Sequence, residues 1–307
     1  MRSLGKFSIV QQSVLICYSP AYELDLGGHV WPTTKYRLIA EELVRAGVVP
    51  HGGFAAPTPC TWDDLALVHT PEYLEKVRTL SLSRDEIATL ELPLSGPVVE
   101  AFRLMVGGTC LTVESALHDG VALHLGGGLH HAFPNHGEGF CLFNDVAVAI
   151  RRGQRDGRIA RAAIIDCDVH HGNGSAMVFD GDPTVFTFSI HQQHNYPLFK
   201  PPSDLDVGLA DQAGDREYLQ RLTPGIERAL ASKPELIVYL AGADPFVGDR
   251  LGGLSLSMKG LRERDQTVLG AARAAGVPVA IVLAGGYATE VADTVAIHVA
   301  TACWGGS

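Results

Sequence analysis

The chain has 307 residues, 46% of them hydrophobic and 19% charged, with a net charge of −10. That balance excludes a disordered chain, and the surplus of acid argues against a protein built to grip nucleic-acid phosphates, which needs a basic face. No uninterrupted apolar run reaches the roughly 18 residues of a membrane-spanning helix, so neither nucleic acid nor a membrane is an expected partner.

The opening MRSLGKFSIVQQSVLICYSP has a slight likeness to a secretion signal. Ser8, Gln11, Gln12 and Ser13 interrupt its apolar part, however, and no small-x-small site follows. Residues 14–19 (VLICYS) predict a first core strand instead, and with it a cytoplasmic protein. Helices are predicted over 34–46 and 71–79; in the second, Thr70 suits the N-cap, Pro71 the first helical position and Glu72 the first turn. A long helix over 97–118 precedes a strand at 121–127 (VALHLGG), and a helix over 142–154 precedes a strand at 162–168 (AAIIDCD). A strand at 184–190 (TVFTFSI) and a helix over 214–231 come next. The chain then alternates strand 235–242 (ELIVYLAG), helix 258–275, strand 278–286 (PVAIVLAGG) and helix 287–302. Strands that are apolar throughout and separated by helices imply a parallel sheet covered on both faces. No linker or repeat divides the chain, so one α/β domain over residues 1–307 is expected. The six cysteines are widely spaced without a CxxC pair and read as reduced core thiols.

In such sheets ligands bind beyond the carboxyl ends of the strands. Four of the predicted strands end there in chemistry: one runs into His130 and His131, one into Asp166, Asp168 and His170, one into Asp244, and one into Tyr287. Strand alternation would put Asp166, Asp168 and His170 on one side and His171 on the other. Buried carboxylates need a partner or a metal. Asp168, His170 and Asp244 make a three-donor set of the kind that leaves a catalytic metal one open position, with zinc and ferrous iron both suited to two oxygens and one nitrogen. The plain alternative is an Asp–His hydrogen-bond network capping the sheet.

His130 and His131 follow a glycine-rich strand end, where an imidazole could take a proton from water, and Asp166 and Asn173 are the available groups to orient them. Tyr287, behind the Gly285–Gly286 turn, could donate to a carbonyl oxygen as negative charge develops. GGGLHH lacks the lysine and spacing of a phosphate loop. His29, His51, His69, His118, His124, His136, His191, His194 and His298 read as structural or solvated.

The set GGGLHHAF, GEGFCLFNDVAVAI, DCDVHHGNG, AGADPFVGDRLGGLSLS and LAGGY resembles the zinc-dependent histone deacetylase family, most closely its class IV branch in LVHTPEYLEK, GDRLGGLSLSMKGLRERD and HNYP. The resemblance implies an arginase/deacetylase-type fold with a parallel sheet of about eight strands. It implies zinc on Asp168, His170 and Asp244, and a catalytic pair His130 and His131 oriented by Asp166 and Asn173. Many relatives carry a second aspartate where this chain has Asn173. A neutral amide supports an imidazolium less, which favours His131 as general base and His130 as its electrostatic partner.

Gly139 and Phe140 match the wall of the family's acyl-lysine tunnel, with Tyr196 opposite and Leu251 deeper in. A structural potassium is implied on main-chain oxygens of Asp166, Asp168, His170 and Ile190 and the Ser189 hydroxyl. The implied activity is hydrolysis of acyl-lysine amides in proteins or peptides. Long acyl chains are expected to be accepted at least as well as acetyl, with room beside Gly252–Gly253. Acetylated polyamines or other small amines are the alternative substrates, and a catalytically silent acyl-lysine binder is the alternative of another class. A two-metal ureohydrolase is disfavoured, because Gly172 stands where a carboxylate is needed and Asp244 has no neighbouring aspartate.

Overall fold

Seven short runs, six of them strongly apolar, form parallel strands in the computed structural model, which describes residues 14–304. Most of the segment weighed as a secretion signal lies outside the described residues. The strands are β1 (Leu15–Cys17), β2 (Val121–His124), β3 (Ala162–Asp166), β4 (Val185–Gln192), β5 (Leu205–Leu209), β6 (Leu236–Leu240) and β7 (Val279–Val282). Their order across the sheet is β1-β2-β7-β6-β3-β4-β5. The helices are α1 (Thr34–Arg45), α2 (Trp62–Leu65), α3 (Pro71–Arg78), α4 (Arg84–Leu90), α5 (Gly96–Asp119), α6 (Asp145–Arg155), α7 (Asn173–Val178), α8 (Asp215–Ala231), α9 (Met258–Ala275) and α10 (Val291–Trp304).

Alternation along each strand feeds two cores. Ile164 and Val238 join Phe102, Met105 and Val146 under α5 and α6, while Ile165, Ile237 and Tyr239 join Leu222, Ile226 and Val268 under α8 and α9. This two-sided burial explains why the strand sequences show no polar face. Among the described residues no helix is long and apolar enough to cross a membrane. None of the six cysteines forms a disulfide, and five of them are buried.

The predicted elements need four adjustments. The sheet has seven strands among the described residues, not about eight. β5 was not expected, because LDVGL carries Asp206 and Gly208 and forms a half-exposed edge. β3 stops at Asp166, so Cys167–His170 leaves the ladder and the juxtaposition of Asp168 with His170 comes from a turn rather than from pleating. Helix starts also move. Asn144 caps α6 by accepting from Ala147 N, and α10 begins only at Val291 because the Tyr287 main chain is tied to Asp249 and Arg250. The Thr70 cap of α3 is present, its side chain accepting from Tyr73 N.

Candidate active site

The chemistry-bearing strand ends converge because β2, β7, β6 and β3 are consecutive in the sheet. Strands lie about 4.8 Å apart, so four adjacent carboxyl ends fall within about 15 Å. They open into a cavity of about 180 Å³ lined by His130, His131, Asp168, His170 and Tyr287, and also by Gly139, Phe140, Tyr196 and Leu251. Asp166 and Asn173 stand behind the two histidines, and Asp244 is fully buried behind Asp168.

Main-chain amides hold the carboxylates. Asp168 Oδ1 accepts from His170 N at 3.0 Å and its Oδ2 from Gly285 N at 2.9 Å, while Asp244 Oδ1 accepts from Val169 N at 2.9 Å. His170 Nδ1 lies 3.0 Å from Asp168 Oδ1 and 3.4 Å from Asp244 Oδ2. One donor atom from each of these three residues lies within 4.8 Å of the others, and Asp244 Oδ2 is buried without a hydrogen-bond partner. A Cβ at Gly285 would sit 1.9 Å from that oxygen and 2.5 Å from Asp168 Oδ2, so only glycine leaves the space open. Burial and the Asp168 charge push Asp244 up to about 7. Two crowded carboxylates, one with an orphan oxygen beside an imidazole nitrogen, fit a divalent cation.

The two catalytic-pair candidates have opposite electrostatics. His130 Nδ1 donates to Asp166 Oδ2 at 2.6 Å; burial would lower its pKa, but Asp166 and Asp168 outweigh burial and raise it to about 9. His131 Nδ1 donates to Asn173 Oδ1 at 2.7 Å, and burial with its histidine neighbours drives it well below the ordinary value. Near neutral pH the His130 ring is therefore charged and the His131 ring neutral, with its lone pair on Nε2. Their Nε2 atoms are 3.2 Å apart. His171 is engaged elsewhere, with its Nε2 3.1 Å from Asp206 Oδ1.

Phe140 holds a left-handed backbone (φ 66°), sparsely populated for an aromatic residue. Gly139 N and Phe140 N donate to Thr89 O and Leu90 O at the end of α4, and the Phe140 ring stacks on Trp31 at 6.4 Å. Tyr196 meets the His131 ring edge-on at 5.0 Å, and Tyr287 lies 6.1 Å from Phe140 and 6.4 Å from His170. Asp249 fixes both sides of this wall: its Oδ2 accepts from Tyr287 N, and its Oδ1 from Leu251 N and Gly252 N. Burial and the nearby Asp168 push the Tyr287 hydroxyl well above its usual pKa, so it keeps its proton.

Gly252 and Gly253, expected to flank room for an acyl chain, are closed in the direction a side chain would take. A Cβ at Gly252 would sit 2.1 Å from Asp244 O, and one at Gly253 would meet the Gln192 amide at 2.5 Å, so both glycines are packed against protein. Ser189 pairs in register with Asp166 across β3 and β4, and its hydroxyl lies 3.0 Å from His191 Nδ1; Ile190 follows, fully buried.

Several contributors escaped the sequence reading. α4 was legible in its capping box, where Ser83 and Glu86 bond each other's main chain. Asp249 carries no sequence signature of its role. Lys35 sits one turn before the buried Ile39, a position that could have marked it as inward-facing. It is fully buried, donates from Nζ to Ala284 O at 3.0 Å and stands 5.5 Å from the Tyr287 ring centre. Burial lowers its pKa to about 8 against the pull of Asp244, Asp168 and Asp249. The folded chain therefore bears a charging cost below pH 8 that fades as pH rises towards the unfolded value near 10.5. Relative to Lys35→Met, wild type should gain about 3 kcal/mol between pH 8 and 10.5. Denaturant titrations of both metal-free proteins across that range test this, and a constant difference would refute it.

The model of the Histone deacetylase domain matches residues 29–303. Histone deacetylase 2 of Arabidopsis thaliana is 31% identical over 304 residues, covering 94% of this chain and 79% of that protein. An uncharacterised protein of Picosynechococcus sp. is 42% identical over 287 residues, covering 92% of this chain and 95% of its own. Among solved structures, a histone deacetylase homologue from Aquifex aeolicus superimposes with a TM-score of 0.81 at 23% identity, over 95% of this chain and 84% of that one. With that domain match and those relatives spanning nearly the whole chain, this protein belongs to the histone deacetylase family and is a hydrolase of that type.

Proposed function

We propose that the protein hydrolyses the amide of N-ε-acetyl-lysine in proteins or peptides. The observation that carries this reading is the convergence of the His130–His131 pair, the Asp168/His170/Asp244 set and Tyr287 on one aromatic-walled cavity. A zinc or ferrous ion held by those three donors would polarise the amide carbonyl and make water more acidic. His131 Nε2 takes the proton of the attacking water, and the His130 imidazolium, held by Asp166, offsets negative charge beside it. The Tyr287 hydroxyl donates to the carbonyl oxygen as it becomes an oxyanion. His131 then returns its proton to the amine nitrogen as the C–N bond breaks, leaving acetate and lysine. A potassium ion would be held by main-chain oxygens of Asp166, Asp168, His170 and Ile190 with the Ser189 hydroxyl, a reading supported by the Asp166–Ser189 register.

Phe140, Tyr196 and Leu251 offer apolar faces to a methylene stem. Leu198 and Phe199 follow Tyr196 and are exposed, which favours a macromolecular substrate over a free polyamine. The packing of Gly252 on Asp244 and of Gly253 on Gln192 supports acetyl over long acyl groups as the preferred substrate. Measuring kcat/KM on one peptide carrying acetyl-, octanoyl- or myristoyl-lysine, beside an N-acetylated polyamine, tests the reading. The acetyl peptide should be best, with a steady fall as the chain lengthens. A myristoyl peptide at least as good as the acetyl one would restore the long-chain expectation, and turnover of the polyamine alone would replace the protein substrate.

A further inference from the structure

Asn173 makes a second hydrogen bond that the family resemblance did not suggest. Its Nδ2 donates to Glu138 Oε1 at 2.7 Å, while its Oδ1 accepts from His131 Nδ1 at 2.7 Å. The Tyr196 hydroxyl donates to the same Glu138 oxygen at 3.1 Å, and His136 Nε2 lies 3.3 Å from the other. Asn173 is buried and the Glu138 side chain is only 16% exposed. Glu138 is also fixed through its main chain, which exchanges hydrogen bonds with Cys141 on either side of the Gly139–Phe140 wall.

We propose that Glu138 is a positioning residue for His131, acting through the Asn173 amide. The inference rests on the reading of His131 as general base. An ionised carboxylate only accepts, so it must face the NH₂ of Asn173 and not its oxygen. That orientation turns Asn173 Oδ1 towards His131, which must then carry its proton on Nδ1 and keep its lone pair on Nε2. The charge that a direct aspartate would supply stands one link further out and polarises the amide. Burial would raise the Glu138 carboxyl, but hydrogen bonds from His136, Asn173 and Tyr196 hold it below the usual range. The same carboxylate ties Tyr196, on the tunnel wall, to the base. An aspartate at 173 could not donate to Glu138, and the two carboxylates would repel.

The test relocates the charge. Glu138→Gln can donate as well as accept, so the Asn173 amide is free to flip and the imidazole to change tautomer; kcat should fall about 10- to 100-fold with KM within about two-fold, the pattern of a mispositioned base. Asn173→Asp alone should also fall. The double variant Asn173→Asp/Glu138→Gln should return to within about three-fold of wild type, because the carboxylate now accepts from His131 and the new amide donates to it. Metal content and circular dichroism check that each variant is folded. Long-range ¹H–¹⁵N spectra of histidine-labelled holoenzyme, with the signal assigned through His131→Phe, read the tautomer without any substrate. A His131 Nδ1–H form in wild type, lost in Glu138→Gln and regained in the double variant, supports the role. An unchanged tautomer in Glu138→Gln, or a double variant no better than Asn173→Asp, overturns it. If wild type hydrolysed none of the substrates tested, the proposed function would fall and the spectra would still decide the position of Glu138.

Discussion

Replacing Tyr287 with phenylalanine should lower kcat by about 10²- to 10³-fold, the usual cost of one lost oxyanion donor, and leave KM within a few-fold. The substitution isolates the hydroxyl. The main chain at 287 is held independently, its N–H donating to Asp249 Oδ2 and its carbonyl accepting from Arg250 Nε at 3.0 Å. The phenyl ring keeps its contacts with Phe140 and His170. Metal content and thermal stability should therefore match wild type. Steady-state kinetics on an acetyl-lysine peptide, with elemental analysis of the same preparations, make the comparison. A variant within about three-fold of wild type would remove Tyr287 from the chemistry.

Removing the divalent ion should have the larger effect, lowering activity by more than about 10³-fold, with one equivalent of zinc or iron restoring it. Purified protein should carry one tightly held ion per chain at Asp168, His170 and Asp244. The affinity should also depend on pH in a definite direction. In the metal-free chain, burial and the charge of Asp168 raise Asp244 to about 7, and the two carboxylates raise His170 to about 10 after overcoming its burial. A metal must displace both protons, so binding strengthens as pH rises through 7 and weakens below it. Competition titrations with a metal indicator at pH 6, 7 and 8 measure this. A profile that does not steepen below pH 7 would argue against Asp244 as a ligand. Full activity in a metal-free preparation, or two tightly held ions in the site, would defeat the assignment.

Much of the site is legible in the sequence because its residues sit where strands run out. A run such as AAIID commits a segment to the core, and carboxylates and imidazoles immediately beyond it have no apolar reason to be there. Where such signals recur at four strand ends, a common site follows from the rule that parallel sheets bind ligands at their carboxyl edge. Less legible are groups whose work depends on reaching across the fold. Asp249 joins Tyr287 to the Leu251 loop, Lys35 reaches Ala284 from a helix some 250 positions away in sequence, and Glu138 meets Asn173 across 35 positions. Each looks like an ordinary charged residue until its neighbours are known.

The sequence by itself determined the alternation of apolar strands and amphipathic helices, the parallel two-sided sheet and the roster of catalytic candidates. Those follow from local composition and periodicity, which act over a few residues. Tertiary structure decided what depends on packing between distant segments. It ended β3 at Asp166 so that a turn brings Asp168 to His170, and it added β5 as a seventh strand by pairing a polar edge with β4. It also packed Gly252 against Asp244 and Gly253 against Gln192, and joined Asn173 to Glu138. Whether a glycine opens a cavity or seals a contact, and which of two adjacent imidazoles holds a proton, depends on atoms brought in from elsewhere in the chain.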